Sequence, residues 1–549
     1  MTHEAGSSPV PARAGAPRPW QSIPGLLELT AAALMVVGLV TRLAPLFDAE
    51  RRLFWQFPTE DGYLTLTISR NLALGNGISV ADGTIPTNGT QPLAMFLWAG
   101  AFWLVGADRF LGVGIVLVLE TLLSVAVAAL IVKLGQELFG RSAESRAVSW
   151  LAAALWFASP VSLQHTMNCL ETTLYALCVM AAALVFLRLN AKGEPLSPRG
   201  VLKLGLLLGA AFWARNDAVF WGAGIAVGHV AYRGRRELPR RVLEVAALGG
   251  VAGIVGAPWL INNYFGFGHV VPISGISESM HAKFGENLSL LPVVLAEYVN
   301  GVVPIPLSLE ENPAVIAACG VFVLAIGLPA VLFVYRRAAQ PEKRLMLAAM
   351  TFALLLSLYY GTMFGARHFL ARYLFPTGPF LLLLWAAVAK AELARAGART
   401  RLVLLAPAAG VIALSALLGH RLFVNGARHQ HQQVVEWVRS NVAESTWVGA
   451  TQTGTLGFFH DRTINLDGKV NPEALAARTL RRVPEYAYEK GVAFIADWAG
   501  FAGWATLPVF AEHFELIVND PKNNLAVLRR KGVLTLPEQR GERAAQRTQ

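Results

Sequence analysis

Apolar stretches punctuate the chain at about residues 25–47, 92–106, 110–132, 147–160, 171–187, 201–214, 218–232, 242–260, 313–335, 345–362, 373–389 and 402–420. A helix that crosses a bilayer needs about 20 mostly apolar residues, and several of these stretches are shorter. Five of the connections between them carry clustered positive charge: Lys133/Arg141/Arg146, Arg188/Lys192/Arg199, Arg233 to Arg241, Arg336 to Arg344, and Lys390 to Arg401. Basic loops stay on the cytoplasmic side. All five can do so together only if 92–106 does not cross, so that stretch is expected to be re-entrant or interfacial. The pattern then predicts a polytopic α-helical membrane protein of about eleven transmembrane helices, with a cytoplasmic N-terminus and an extracytoplasmic C-terminus. This topology places the remaining polar connections on the outer face: 48–91, 161–171, 215–217, 261–312 and 367–372.

The first outer connection, 48–91, is too polar to span and too rich in acids, aromatics and glycines to be a plain linker. From Glu60 its spacing becomes helical. Leu64, Ile68, Leu72 and Leu74 share one side; Thr65, Thr67, Arg70 and Asn71 share the other. Such a helix suits a membrane surface and sets Asp61 at headgroup depth. There Asp61 is either the helix N-cap, a common use of aspartate, or a base for a hydroxyl proton.

After about residue 421 the pattern changes. His431–Val442 is expected to be an amphipathic helix with Val434, Val435 and Val438 on one face. Trp447–Ala450, Val492–Asp497, Phe514–Val518 and Leu525–Leu528 read as short buried strands, and Val483–Lys490 and the stretch after Pro472 as helices. Residues 421–536 therefore predict an extracytoplasmic α/β domain long enough for its own core. Residues 1–24 and 537–549 are expected to be disordered, the former in the cytoplasm.

Composition agrees. Hydrophobic residues make up 54% and charged residues 15% of the 549, with a mean hydropathy of +0.46; a soluble globule is excluded. The formal charge of +11 is accounted for by cytoplasmic loops rather than by nucleic-acid binding. The run 25–47 is too long for a signal-peptide core and lacks a cleavage site, so it is expected to remain as an anchor. The three cysteines lie in or beside apolar runs, so no disulfide framework is expected in the C-terminal domain.

Several motifs add to this. Glu60-Asp61-Gly62-Tyr63, Ser69-Arg70-Asn71-Leu72-Ala73, Gly75-Asn76-Gly77, Thr87-Asn88-Gly89 and Pro92-Leu93 together resemble the first outer loop of membrane glycosyltransferases of the GT-C fold. The likeness is to their bacterial arabinofuranosyl- and mannosyltransferase-like branch. Asn168-Cys169-Leu170-Glu171-Thr172 resembles that branch's Gly-(Leu/Met)-Glu-Thr pattern. Ala214-Arg215-Asn216-Asp217 is similar to its Arg-Pro-Asp, with Asn216 in place of Pro. Asn263-Tyr264-Phe265-Gly266 with Pro272 resembles a further loop, with Ile273 where Asn is usual. Arg372-Tyr373-Leu374-Phe375-Pro376 resembles a helix start, and Gly454 to Asn471 the C-terminal outer domain.

The resemblance implies a sugar donor on a polyprenyl phosphate. It also implies an acceptor hydroxyl of a glycan, lipid or protein, on the outer face of the bacterial plasma (inner) membrane. It makes Asp61 the general base, with Glu60 and Glu171 beside it. Arg215, Lys283, Arg367 and Arg372 become candidates for the lipid phosphate, which arginine can grip bidentately, and Asp217, Tyr63, Arg70 and Asn88 complete the substrate-binding set. Glu171 and Asp217 either hold a divalent cation (Mg or Mn) with Asp61 or orient the arginines. His165 assists or is an interface histidine. Trp55, Trp259 and Tyr264 stack on sugar or anchor helix ends. The C-terminal domain is expected to recognise the acceptor rather than take part in chemistry, with Asp461 and Asp467 available to sugar hydroxyls. Two other classes are open. One is a lipid or solute transporter, against which the gathering of charge at one face argues. The other is a scaffold that holds a glycan without reacting.

Overall fold

The computed structural model describes residues 22–538 except 48–52, 55–56, 233, 281, 366, 394, 396–397 and 426–430. Trp55, most of the N-terminal stretch and most of the C-terminal tail named above lie outside the described residues.

Most of the chain is helical. Eight helices among the described residues are long and apolar enough to cross a membrane: Ile23–Phe47, Arg109–Phe139, Thr172–Ala191, Leu238–Phe267, Pro313–Arg337, Gln340–Thr362, Leu370–Leu393 and Val403–Val424. A ninth arises if Ala143–Ala158 and Pro160–Thr166 count as one span, bent by 61° where Pro160 breaks the helix. The eleven spans expected from hydropathy are not reached. The stretches at 201–214 and 218–232 form helices of 17 and 13 residues, Pro198–Ala214 and Ala218–Val230. The chain turns at Arg215-Asn216-Asp217 between them, so the two do not join into one longer helix. Pro92–Leu104 is a short apolar helix of 13 residues.

The basic connections gather at one end of the bundle. Lys390 donates to the Phe139 carbonyl at 2.5 Å, Arg188 pairs with Glu137 at 2.7 Å, and Arg241 reaches the Gly193 and Glu194 carbonyls. Arg337 and Lys390 line one cavity with Phe139.

Past the last span the chain builds a five-stranded mixed sheet in the order β4-β3-β5-β7-β6. The strands are β3 (Val448–Ala450), β4 (Thr463–Asn465), β5 (Phe494–Asp497), β6 (Phe514–Asp520) and β7 (Leu525–Arg530); the short hairpin β1 (Ser79–Val80) and β2 (Ile85–Pro86) lies in the first outer connection. Strand β3 pairs in parallel with β4 and β5, and β7 runs antiparallel to β5 and β6. The expected helices appear as Gln432–Asn441, Pro472–Thr479 and Val483–Glu489. Strand β6 is an edge, with Glu515 and Leu516 exposed rather than buried.

The helix Glu60–Ala73 is not a surface helix. Tyr63 and Leu66 join the core of the membrane bundle, while Leu64 and Ile68 join the core of the sheet domain. Thr65, Thr67 and Asn71, expected to face water, are buried as well. It packs against Pro92–Leu104 on one side and Gly454–Phe459 on the other. The first outer connection folds back on the polar positions, Asn71 donating to the Ser79 carbonyl and Thr65 meeting Thr90, while the C-terminal domain covers Leu64 and Ile68.

Candidate active site

A cavity of about 350 Å³ opens at the end of the bundle opposite the basic connections. Helix Thr172–Ala191 runs between the two, with Glu171 at the cavity and Arg188 at the basic end. The walls come from the first outer connection, from 170–171, 215–220, 271–278 and 359–373, and from Lys469 of the C-terminal domain. Four carboxylates (Asp61, Glu171, Asp217, Glu278) and three cations (Arg215, Arg372, Lys469) line it.

Arg215 anchors one wall. Helix Pro198–Ala214 ends there in an extended conformation, and Asp217 starts the next helix two residues on. The guanidinium donates to Glu171 at 2.5 Å, to both Asp217 oxygens at 2.8–3.2 Å, and to the Tyr360 hydroxyl at 3.1 Å. Tyr360 in turn donates to Asp217 at 2.6 Å and stacks on Tyr373 with ring centres 4.1 Å apart. A buried charge network of this kind fixes geometry more than it stabilises, and removing one partner leaves the others uncompensated.

Asp61 anchors the other wall. It does not cap its helix: Thr59 does, its hydroxyl accepting from the Gly62 N–H at 3.2 Å. Asp61 sits in the first turn, where the exposed N–H groups favour negative charge. Gly62 lets the helix start touch the neighbouring loop, for a Cβ there would meet the Asn168 carbonyl at 2.0 Å. Arg372 donates to one Asp61 oxygen at 2.9 Å and lies over the Phe369 ring at 4.2 Å. Lys469 stands 3.9 Å from the other Asp61 oxygen and 2.5 Å from Glu278. Burial alone would push Lys469 toward neutrality; Asp61, Asp467 and Glu278 outweigh it and hold its pKa well above the usual lysine range. Burial also pushes the neighbouring Asp467 carboxyl up to about 6, against the pull of Lys469.

Of the expected site residues, Asp61, Glu171, Arg215, Asp217 and Arg372 meet in this cavity. The others stand elsewhere. The Glu60 carboxylate accepts from the Gly454 and Thr455 N–H groups and the Thr455 hydroxyl. Arg70 pairs with Asp461 at 3.1 Å, which Arg109 also engages at 2.7 Å, so Asp461 joins the two halves instead of facing sugar. The Tyr63 hydroxyl donates to the Phe54 carbonyl inside the core. Asn88 is buried behind the cavity wall, where its side-chain oxygen accepts from the Ile273 N–H. Arg367 is directed at Glu311, 3.5 Å away, and Lys283 is not among the lining residues. His165 packs edge-on against Phe375 and Trp259 is buried, whereas Tyr264 is exposed beside Phe265.

Glu278, Lys469, Tyr360 and Tyr373 complete the site without having been anticipated as site residues. Lys469 lay in plain view within the Asn465–Asn471 motif, but nothing in its surroundings says that it enters a cavity more than 400 positions earlier in the chain. Glu278 was one of several acids in the connection 261–312.

Among the described residues no three His, Cys, Asp or Glu side chains converge on a point a metal ion could occupy. Glu171 and Asp217 converge on Arg215, and Asp61 on Arg372 and Lys469. This arrangement does not fit the Mg or Mn raised as one alternative; it fits the other, in which the carboxylates orient the cations.

The family model described as "Domain of unknown function (DUF8728)" matches residues 421–535. No curated protein matches the chain. Solved structures do. ArnT from Cupriavidus metallidurans bound to undecaprenyl phosphate is 13% identical, with a TM-score of 0.57 over 92% of this chain and 98% of that one. An Archaeoglobus fulgidus oligosaccharyltransferase tethered with an acceptor peptide containing the NVT sequon is 12% identical, with a TM-score of 0.53 over 90% and 72%. AglB from Archaeoglobus fulgidus in complex with an inhibitory peptide and a dolichol-phosphate is 12% identical, with a TM-score of 0.50 over 92% and 75%. At such identities the likeness is one of fold: the chain has the GT-C architecture these proteins share.

Proposed function

We propose that the chain is a membrane glycosyltransferase that moves a sugar from a polyprenyl-phosphate donor to an acceptor hydroxyl of a glycan, lipid or protein. Its pattern of motifs favours a hexosyl- or pentosyltransferase of the arabinofuranosyl- and mannosyltransferase-like branch. The observation that carries the reading is the Asp61–Arg372 pair in a cavity at one end of a GT-C bundle, on the fold of a protein whose structure holds undecaprenyl phosphate.

The chemistry is a displacement at the anomeric carbon. The acceptor oxygen forms the new bond to that carbon while the carbon–oxygen bond to phosphate breaks, and the bonding pair leaves with the phosphate. Asp61 takes the acceptor's proton. Arg372 meets the charge that develops on the phosphate, in a site shielded from water. Arg215, saturated by Glu171, Asp217 and Tyr360, holds the wall against which the donor lies. The basic end of the bundle faces the cytoplasm and the cavity faces out. The polyprenyl tail lies in the bilayer, which sets its phosphate at the depth of the cavity. The C-terminal domain holds the acceptor above it.

The test is a panel of labelled polyprenyl-phosphate sugars presented to the purified protein in lipid nanodiscs with a membrane extract as acceptor. Consumption of one donor, with polyprenyl phosphate released, is the expected result. A folded protein that consumes none of them refutes the proposal.

A further inference from the structure

The cavity holds four carboxylates against three cations, so a donor phosphodiester enters a site already one negative charge in excess. Transfer then relocates charge without changing its total. Asp61 becomes neutral as it takes the acceptor's proton, and the leaving phosphate gains the negative charge that Asp61 loses. The cations best placed to serve this step are those that reach both ends of the displacement. Arg372 sits on one Asp61 oxygen and Lys469 stands near the other. An oxygen engaged by a cation offers less of its lone pair to a hydroxyl.

Lys469 does not reach this point by accident of a long side chain. Its loop is locked in place. The Asp467 carboxylate accepts from the Lys469 N–H at 2.9 Å, and the Asp467 carbonyl accepts from Ser277 at 2.9 Å and Arg478 at 2.9 Å. Asn465 and Asn471 close the loop with further bonds. The first outer connection presses against its backbone so closely that a Cβ on Gly89 would meet the Lys469 carbonyl at 2.2 Å. The side chain is only 16% exposed, and its ammonium ends between Glu278 and Asp61 and 5.6 Å from the centre of the Phe369 ring.

We propose that Lys469 is a catalytic cation supplied by the C-terminal domain, held by Glu278 and Asp61 until the donor's phosphate draws it away, so that Asp61 is freed for the acceptor's proton only once the donor is bound. This rests on the glycosyltransferase reading, and it corrects the expectation that the C-terminal domain takes no part in chemistry. Glu278 is then a positioning residue that competes with the phosphate for Lys469.

The experiment compares wild type, Lys469→Met, Lys469→Arg and Glu278→Gln as full-length proteins in nanodiscs. It measures the Kd for a polyprenyl monophosphate, and the donor KM and kcat for transfer. Lys469→Met is expected to weaken phosphate binding about tenfold, as loss of one charged hydrogen-bond donor does, and to lower kcat by about 10²- to 10³-fold. Lys469→Arg is expected to restore most of both. Glu278→Gln, by removing the competitor, is expected to tighten phosphate binding severalfold, a gain that a purely structural role would not produce. Wild-type-like binding and kcat in Lys469→Met, or unchanged or weaker phosphate binding in Glu278→Gln, overturns the proposal while leaving the glycosyltransferase reading intact. Failure of the wild type itself to bind polyprenyl monophosphate and to transfer overturns both.

Discussion

Replacing Asp61 by asparagine separates chemistry from folding. The side chains are nearly the same size, and Thr59 rather than Asp61 caps the helix, so the local backbone has no reason to change. The amide oxygen can still accept from Arg372, now 2.9 Å from the carboxylate. What is lost is the charge on the acceptor, and a charge-assisted hydrogen bond exceeds a neutral one by about 1–2 kcal/mol. A protein at the low end of ordinary stability, about 5 kcal/mol, would keep at least 3. Less than about 1% of the molecules would then be unfolded, since each 1.4 kcal/mol is a factor of ten. Loss of a general base, by contrast, lowers the rate by about 10²- to 10⁴-fold. The two effects differ by enough that one assay decides between them. Purified Asp61→Asn in nanodiscs is expected to melt within a few degrees of wild type, to bind polyprenyl monophosphate at least as tightly, and to transfer sugar at least a hundredfold more slowly. A kcat within threefold of wild type, in a protein that consumes donor normally, would refute the assignment of Asp61 as base.

Four further outcomes are expected. Arg372→Lys keeps the charge but loses the planar fork, so donor KM should rise and kcat fall, together by about tenfold or more; unchanged kinetics would remove Arg372 from phosphate recognition. Gly62→Ala places a methyl group into the Asn168 carbonyl, and overpacking of this kind costs about 1–3 kcal/mol, which a lowered melting temperature in a thermal-shift assay would register. Glu60→Ala removes the acceptor of three hydrogen bonds from Gly454 and Thr455. It should expose the junction between the halves to limited proteolysis, with a smaller effect on kcat than Asp61→Asn. The last concerns pH. The folded state binds the Asp467 proton more tightly than the unfolded state does, its pKa being raised from 3.8 to about 6. That contribution to stability is complete below about pH 3.8 and lost as the pH rises to about 6, a loss of up to about 3 kcal/mol. The melting temperature at pH 4.5 minus that at pH 7 should therefore be smaller in Asp467→Asn than in wild type, and an identical value in both proteins would contradict the burial argument.

Hydropathy placed nearly every helix of the bundle because lipid leaves no other way to satisfy a spanning backbone. It ended one run at 214 and began the next at 218, on either side of Arg215-Asn216-Asp217, but it counted both as spans, whereas the helices there have only 17 and 13 residues. Asp61, Glu171, Arg215, Asp217 and Arg372 were legible as a group because charge at a membrane boundary is costly and therefore conspicuous. Arg367 had the same credentials as Arg372, yet a short turn at Arg367–Phe369 followed by a new helix at Leu370 sends the two side chains to different partners. The polar face of the helix at Glu60 was misread for a different reason. Thr65 and Asn71 look solvated to any local pattern, and only the fold of the first outer connection back onto the helix gives them Thr90 and Ser79 as partners. Strand β4 escaped notice because three residues between polar flanks carry no period of their own.

The bonds between Glu60 and residues 454–455 join positions 394 apart in the chain. Ribosomes add about 5–20 residues per second, so roughly 20–80 s separate the synthesis of the two partners. Through that interval the helix at Glu60 has both apolar faces made and only one of them able to find its core. Leu64 and Ile68 wait for Ile464, Leu466 and Val470. The growing protein therefore passes through a long-lived stage with a sticky, half-paired helix, which is the stage a chaperone would guard and a quality-control protease would probe. Variants that weaken this joint should show their effect first as low yield of inserted protein, before any loss of turnover in the molecules that mature.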